Sequence, residues 1–294
     1  MSTLRDTGWA KLNLTLEVLG RRRDGFHEIR SLVAFAAFGD TVEFDPEQSL
    51  DFQLEGPFAP ALRGDNLIVK AARTASGKVP GLRLGRFRLI KRLPVAAGLG
   101  GGSADAAAAL RLIARANAGR TTMSQLAGLA PELGSDVRVC LESRPSIMTG
   151  RGEIVEPVKG FPTCGVLLAN PRLPLATEAV YAALGAAPFA DTPARKTEVP
   201  NFHSDFEALL EYALPRGNDL EVPAARLAPE IRDVLTNLSA LSTVRLARLS
   251  GSGPTCFALF ATEDQANDAA LSLSRLRPDW WIVASSLGEP HHPN

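Results

Sequence analysis

The chain has 294 residues, 45% of them hydrophobic, and its 32 lysines and arginines are balanced by 32 aspartates and glutamates. Two domains of about 100–200 residues are the expectation at this length, and the zero net charge argues against a broad basic surface for nucleic acid. Three scattered cysteines, Cys140, Cys164 and Cys256, form no C-x-x-C pair and speak against a disulfide framework or zinc site, while no run of about 18 apolar residues is available to cross a bilayer and the N-terminus has no apolar signal core.

In chain order, Trp9 to Leu19 alternates, with Leu12, Leu14, Leu16 and Val18 on one face and Lys11, Asn13, Thr15 and Glu17 on the other. This predicts a half-buried strand that ends at the charged turn Arg21–Gly25. Ile29–Phe38, Asp40–Phe44 and Leu50–Leu54 read as a meander of antiparallel strands. Asp65-Asn66 caps a helix beginning at Leu67, and Phe87 and Leu89 lie on a strand. A capping box, Thr122-x-x-Gln125, opens a helix reaching about Leu133. Gly134-Ser135-Asp136-Val137 starts a short helix or turn, and Ile147–Val155 is strand-like around Gly150-Arg151-Gly152.

A boundary near Lys159-Gly160-Phe161-Pro162 divides the chain into 1–160 and 161–294. Beyond it come strand Gly165–Ala169, helix Thr177–Leu184, and helices near Asp205–Tyr212 and Pro229–Leu241. Strands Val244–Leu249 and Thr255–Phe260 flank Gly251-Ser252-Gly253-Pro254; a helix opened by Thr262-x-x-Gln265 and a strand Trp280–Ala284 follow. This interleaving predicts a split βαβ, ferredoxin-like second domain. The tail with His291 and His292 reads as a disordered terminus rather than a metal site.

The most informative segment is Pro94–Asp105, with four glycines between Gly98 and Gly102, then Ser103 and an alanine-rich helix. Glycine lets a ligand approach the main chain, and loop amides feeding a helix N-terminus make an anion site. Phosphate is the expected ligand. The loop lacks the lysine of a Walker A motif, and Ser103 stands where the dinucleotide pattern needs its third glycine.

Four islands in order, Lys11-x-Asn13, Gly98–Ser103, Gly134-Ser135-Asp136 and Gly251-Ser252-Gly253, resemble the GHMP kinase superfamily of small-molecule, ATP-dependent kinases. Asp24-Gly25-Phe26-His27, Asp65–Ile68, Gly150–Glu153 and Asn218-Asp219-Leu220-Glu221 narrow the resemblance to the branch acting on a cytidylated methylerythritol. The resemblance implies an α+β fold, with a ribosomal-S5-domain-2-like N-terminal domain, a ferredoxin-like C-terminal domain and the site between them. It implies ATP as cosubstrate with Mg²⁺ and a small-molecule substrate phosphorylated on its 2-hydroxyl. The cysteine usage, the lack of apolar segments and the zero net charge give the expectation of a cytoplasmic protein, monomer or homodimer, with no nucleic-acid or membrane partner. No protein metal ligands are expected, since phosphates supply most of a Mg²⁺ shell.

By resemblance Asp136 is the base and Lys11 stabilises the developing alkoxide. Asn66, Leu67, Pro94, Ala97, Gly98, Leu99, Gly100, Gly101, Gly102, Ser103 and Ala104 would surround ATP, and Asn13, Phe26, His27, Thr177 and Tyr181 the second substrate. Each has a bland alternative: Asp136 and Thr177 as helix N-caps, Lys11 as a solvated strand residue, Tyr181 as a core aromatic, and Gly251–Gly253 as a tight turn. Asp105 suits a helix first turn but repels phosphate, and receives no role. Phe26 stands where the family commonly has tyrosine, and Ala96-Ala97 where many relatives have glycine. The competing readings are a GHMP kinase for homoserine or mevalonate, a non-catalytic ligand sensor and an RNA-binding module.

Overall fold

The computed structural model describes residues 3–62, 64–190 and 198–290; His291 and His292 lie outside them. The alternating stretch at the start is two strands, β1 (Leu4–Asn13) and β2 (Glu17–Arg21), rather than one. Between them the chain bends, and Leu16 N donates to Gly217 O, outside the sheet ladder. Alternation reports which side chains face inward, and Leu14 and Leu16 stay buried through the bend, so hydropathy carried no sign of it. Nor is the polar face solvated: Lys11 and Asn13 are each only 4% exposed.

Strand β3 (His27–Asp45) is continuous over 19 residues where two strands were expected. Gly39 does not interrupt it. A Cβ at Gly39 would fall 2.2 Å from Gly8 O, so glycine there permits close approach of β1. Strand β4 (Asp51–Glu55) does not continue a meander; it pairs in parallel with β5 (Arg86–Ile90), which pairs antiparallel with β3. Parallel strands need a crossover, and helix α1 (Leu67–Lys78) supplies it. Asn66 caps α1 by accepting from Ile68 N, and Ile68, Ala71, Ala72 and Ala75 form its buried face at helical spacing.

The glycine loop leads into α2 (Gly101–Ala116), whose alanines pack against β1, α1 and α5 (Val137–Glu142). The capping box forms as expected, but its helix is broken into α3 (Met123–Ala127) and α4 (Ala130–Leu133) at Gly128-Leu129, just before Pro131. A hairpin of β6 (Ser146–Gly150) and β7 (Ile154–Pro157) docks on β3 through β6.

The second half comprises β8 (Cys164–Asn170), α6 (Thr177–Leu184), α7 (Phe206–Ala213), α8 (Glu221–Leu227), α9 (Glu230–Ser239), β9 (Leu246–Leu249), β10 (Cys256–Phe260), α10 (Glu263–Leu276) and β11 (Trp281–Gly288). Its strands lie in the order β11-β8-β10-β9, antiparallel throughout, which is the split βαβ arrangement. Helix α8 was not expected; its Pro223 falls in the first turn, where no N–H is needed. Strand β11 also pairs with β3, so both halves share one eleven-stranded sheet. The expected boundary falls in the connection from β7 to β8. No helix among the described residues is long and apolar enough to cross a membrane.

The first core is anchored by Phe44 and Phe87, fully buried and stacked at 4.5 Å between ring centroids. Phe87→Ala is expected to cost about 3–5 kcal/mol, measured as a lowered urea midpoint with an unchanged slope.

Candidate active site

The site is built where the glycine loop is squeezed between two neighbours. Gly98 and Gly100 adopt φ of 72° and 62°, which favour glycine. A Cβ on Gly98 would lie 2.2 Å from Ser250 O, and one on Gly100 would lie 3.3 Å from Lys11 Cβ and 3.6 Å from Asp136 Oδ2. The amides of Gly101, Gly102 and Ser103 are in the first turn of α2 and so have no partner inside the helix. These three residues line a cavity of about 980 Å³. Ala96, at φ 50°, carries a methyl group in a left-handed conformation.

Lys11 Nζ donates to Asp136 Oδ2 at 2.8 Å. Lys11 comes from the end of β1, whose backbone is held to the loop by its N–H to Leu99 O. Asp136 occupies the N-cap position of α5 but makes no capping hydrogen bond. Its carboxylate serves the lysine instead, so the plain N-cap reading does not account for it.

The far end of the cavity is aromatic. Asp24 Oδ1 accepts from Phe26 N, and Gly25 takes φ 87°; this turn presents Phe26 with 51% of its surface exposed. The Arg151 guanidinium lies 4.6 Å from the Phe26 ring centre. His27 and Tyr181 are ring neighbours at 4.7 Å. Burial, then the charge of Arg21, lowers the His27 pKa from its ordinary 6.5. Burial, then the charge of Asp136, pushes the Tyr181 hydroxyl up to about 12, so it remains a neutral donor. Thr177 is the first residue of α6 rather than its cap, and its hydroxyl meets that of Ser252 at 2.8 Å. Asn13 Nδ2 donates to Ser31 Oγ, and its Oδ1 lies 3.2 Å from where a Gly251 Cβ would be.

Lys11, Asp136, Asn13, Phe26, His27, Thr177, Tyr181, Leu67, Pro94, Ala97, Gly98, Gly100, Gly101, Gly102 and Ser103 all border this one cavity. Three residues expected around ATP do not form its wall. Leu99 and Ala104 are buried, and Asn66 commits its carbonyl to capping α1. Arg21 and Lys91, for which no site role was expected, also border it, as do Ser252 and Arg151 from the Gly251–Gly253 and Gly150–Glu153 islands. For Arg151 and Ser252 the flanking glycines were the available signal. Asp105 points away from the loop into the interior, where its carboxylate accepts from Lys91 Nζ at 2.8 Å. Burial holds its pKa well above the usual carboxylate range, although Lys91 opposes this.

Family models describe the same architecture: residues 66–144 match the GHMP kinase N-terminal domain and residues 199–278 the GHMP kinase C-terminal region. The fold and the glycine-loop site together are those of a GHMP kinase. A homoserine kinase from Cytophaga hutchinsonii shares the fold, with a TM-score of 0.68 at 14% identity over 100% of this chain and 97% of that one. Sequence likeness is far greater elsewhere. The chain is 45% identical over 98% of its length to 4-diphosphocytidyl-2-C-methyl-D-erythritol kinase of Rhodopseudomonas palustris (strain BisB5), covering 100% of that protein. It is 44% identical over 98% of its length to an enzyme of that name from Methylorubrum extorquens, again covering 100% of it. A crystal structure of 4-(cytidine 5'-diphospho)-2C-methyl-D-erythritol kinase matches with a TM-score of 0.75 and 32% identity over 97% of this chain and 99% of that one. The chain belongs to the 4-diphosphocytidyl-2-C-methyl-D-erythritol kinase family.

The half-buried His27 is expected to titrate below 6.5 in an NMR pH series. With a depressed folded pKa, its contribution to stability is present above 6.5 and is lost as pH falls through the folded value.

Proposed function

We propose that the protein transfers the γ-phosphate of ATP to the 2-hydroxyl of 4-diphosphocytidyl-2-C-methyl-D-erythritol. The products are the 2-phosphate and ADP, in the methylerythritol phosphate route to isopentenyl diphosphate. The observation that carries the reading is the 2.8 Å Lys11–Asp136 contact set directly against Gly100, in one cavity with Phe26 and His27.

Phosphoryl transfer is mainly a matter of positioning and charge stabilisation. The first-turn amides of α2, backed by the helix dipole, receive the triphosphate. Asp136 takes the proton of the acceptor hydroxyl on the carboxylate oxygen not engaged by Lys11. The Lys11 ammonium stabilises negative charge growing on the acceptor oxygen. Phe26 offers an exposed ring face to the cytosine, and His27, neutral at pH 7, hydrogen-bonds its edge. Thr177, Tyr181 and Asn13 fix the remaining polar groups.

Mg²⁺ entering with the nucleotide would neutralise charge on the β- and γ-phosphate oxygens. Among the described residues no three His, Cys, Asp or Glu side chains form a metal cluster. Such an ion would be held chiefly by phosphate and water, with the Ser103 hydroxyl open to either phosphate or the ion.

The test is ADP release with Mg-ATP and, in parallel, the cytidylated substrate, homoserine or mevalonate. Turnover confined to the first is expected; turnover with another alcohol instead would overturn the substrate assignment. Asp136→Asn should lower kcat by about 10²- to 10⁴-fold while ADP affinity, read by calorimetry, stays near wild type. Unchanged turnover would exclude the base. Phe26→Ala should raise KM for the cytidylated substrate about 5- to 100-fold with KM for ATP unmoved; equal rises in both would refute stacking.

A further inference from the structure

Beneath the phosphate loop lies a cluster of charges that the mechanism above does not use. Lys91, just past the end of β5, is bracketed by Asp40 of β3 and Asp105 of α2, with Nζ 2.6 Å and 2.8 Å from their carboxylates. All three side chains are at most 4% exposed. The other oxygen of Asp40 accepts from Arg92 N and Leu93 N, the residues from which the chain enters the loop. At the loop's exit, the Lys91 ammonium would be 3.1 Å from a Cβ on Gly101, the first residue of α2. Asp105 sits one turn further along α2, against Gly8, where a Cβ would come within 2.7 Å of its Oδ1. The cluster thus grips the loop at both ends, and Lys91 itself borders the cavity.

A buried ion pair contributes little net stability compared with apolar residues of similar volume. Stability alone gives no account of three ionisable groups in this place, whereas fixed geometry does: the hydrogen-bonded bridge through Lys91 sets the height and rotation of the helix end whose amides face the cavity. We propose that Lys91 and Asp105, with Asp40, are positioning residues for the nucleotide phosphates, acting through the aim of the Gly101–Ser103 amides. The proposal rests on the kinase reading above in taking ATP as the ligand.

The test compares wild type, Lys91→Met and Asp105→Asn by three readouts: ADP affinity from calorimetry, the two KM values and kcat from ADP release, and the melting temperature. Lys91→Met should weaken ADP and raise KM for ATP by roughly tenfold or more, with KM for the second substrate within about twofold. Asp105→Asn preserves shape and keeps the Asp40–Lys91 pair; it should shift the same two quantities by about threefold or more. If Lys91→Met does not fold, Asp105→Asn decides. Folded variants that only melt earlier, with ADP affinity and KM for ATP at wild-type values, or with both KM values raised equally, would overturn the proposal. Wild-type protein that binds ADP but does not turn over the cytidylated substrate would fail the previous reading, and the ADP comparison would still decide this one.

Discussion

The close approach of the glycine-loop backbone to two separate elements is the constraint on which this molecule depends. Gly98 lies against the Ser250–Gly253 turn of the second half, and Gly100 against Lys11 and Asp136 of the first. The Ser250 hydroxyl donates to Gly98 O and accepts from Asn13 N, so one side chain ties the phosphate loop to the strand carrying Lys11. Thr255 N donates to Ala97 O at the same seam. A side chain at Gly98 would separate these layers; its absence lets main chain meet main chain.

The turn contacting Gly98 is itself held from behind. Asn218 Nδ2 donates to Leu249 O and Gly251 O, and Glu221 accepts from Leu249 N. Asp219 accepts from Val18 N, and its own N–H reaches Leu16 O. The segment 217–221 therefore fastens both the bend between β1 and β2 and the turn at Gly251. At both places chain leaves a regular ladder beside the cavity, and buried backbone groups there need partners from elsewhere. That explains the Asn-Asp-Leu-Glu run without assigning it any contact with substrate.

What was legible in the sequence was local. The caps at Asn66 and Thr122 form as their spacing announces, because a cap depends on residues within one turn; at Thr262 only half of the expected capping box forms, since its hydroxyl accepts from Gln265 N but Gln265 Oε1 makes no reciprocal bond. The second half's strand order follows from element order and the handedness and pairing rules of such units. Pairing across the first half was not legible. The insertion of β5 between β3 and β4 depends on where α1 carries the chain, and no local pattern encodes that. Charge was misleading as well. Lys11, Lys91, Asp40 and Asp105 look like surface residues in a balanced composition, yet all are buried. Their partners lie 14 to 125 positions away in sequence, beyond the reach of spacing arguments. A carboxylate at Asp105 facing the loop would repel phosphate, and the fold resolves that conflict by turning it inward onto Lys91.

The cavity consequently has two chemically distinct ends. One end is nearly all backbone, with amides and a helix dipole suited to charge of any substituent pattern. The other presents Phe26, His27 and Tyr181, which suit a flat heterocycle with a defined hydrogen-bonding edge. Lys11 and Asp136 stand between, at the point where glycine lets the first end come close. The glycine-loop end, being mostly backbone, offers little that would distinguish one acceptor alcohol from another. The aromatic end carries the more directional groups. There, Asp24 and Gly25 set the Phe26 ring by a turn hydrogen bond and a positive φ, with Arg151 at the ring. A tyrosine in place of Phe26 would add a hydroxyl to an already exposed ring. Its absence removes one polar group but leaves the exposed ring face, beside the paired rings of His27 and Tyr181.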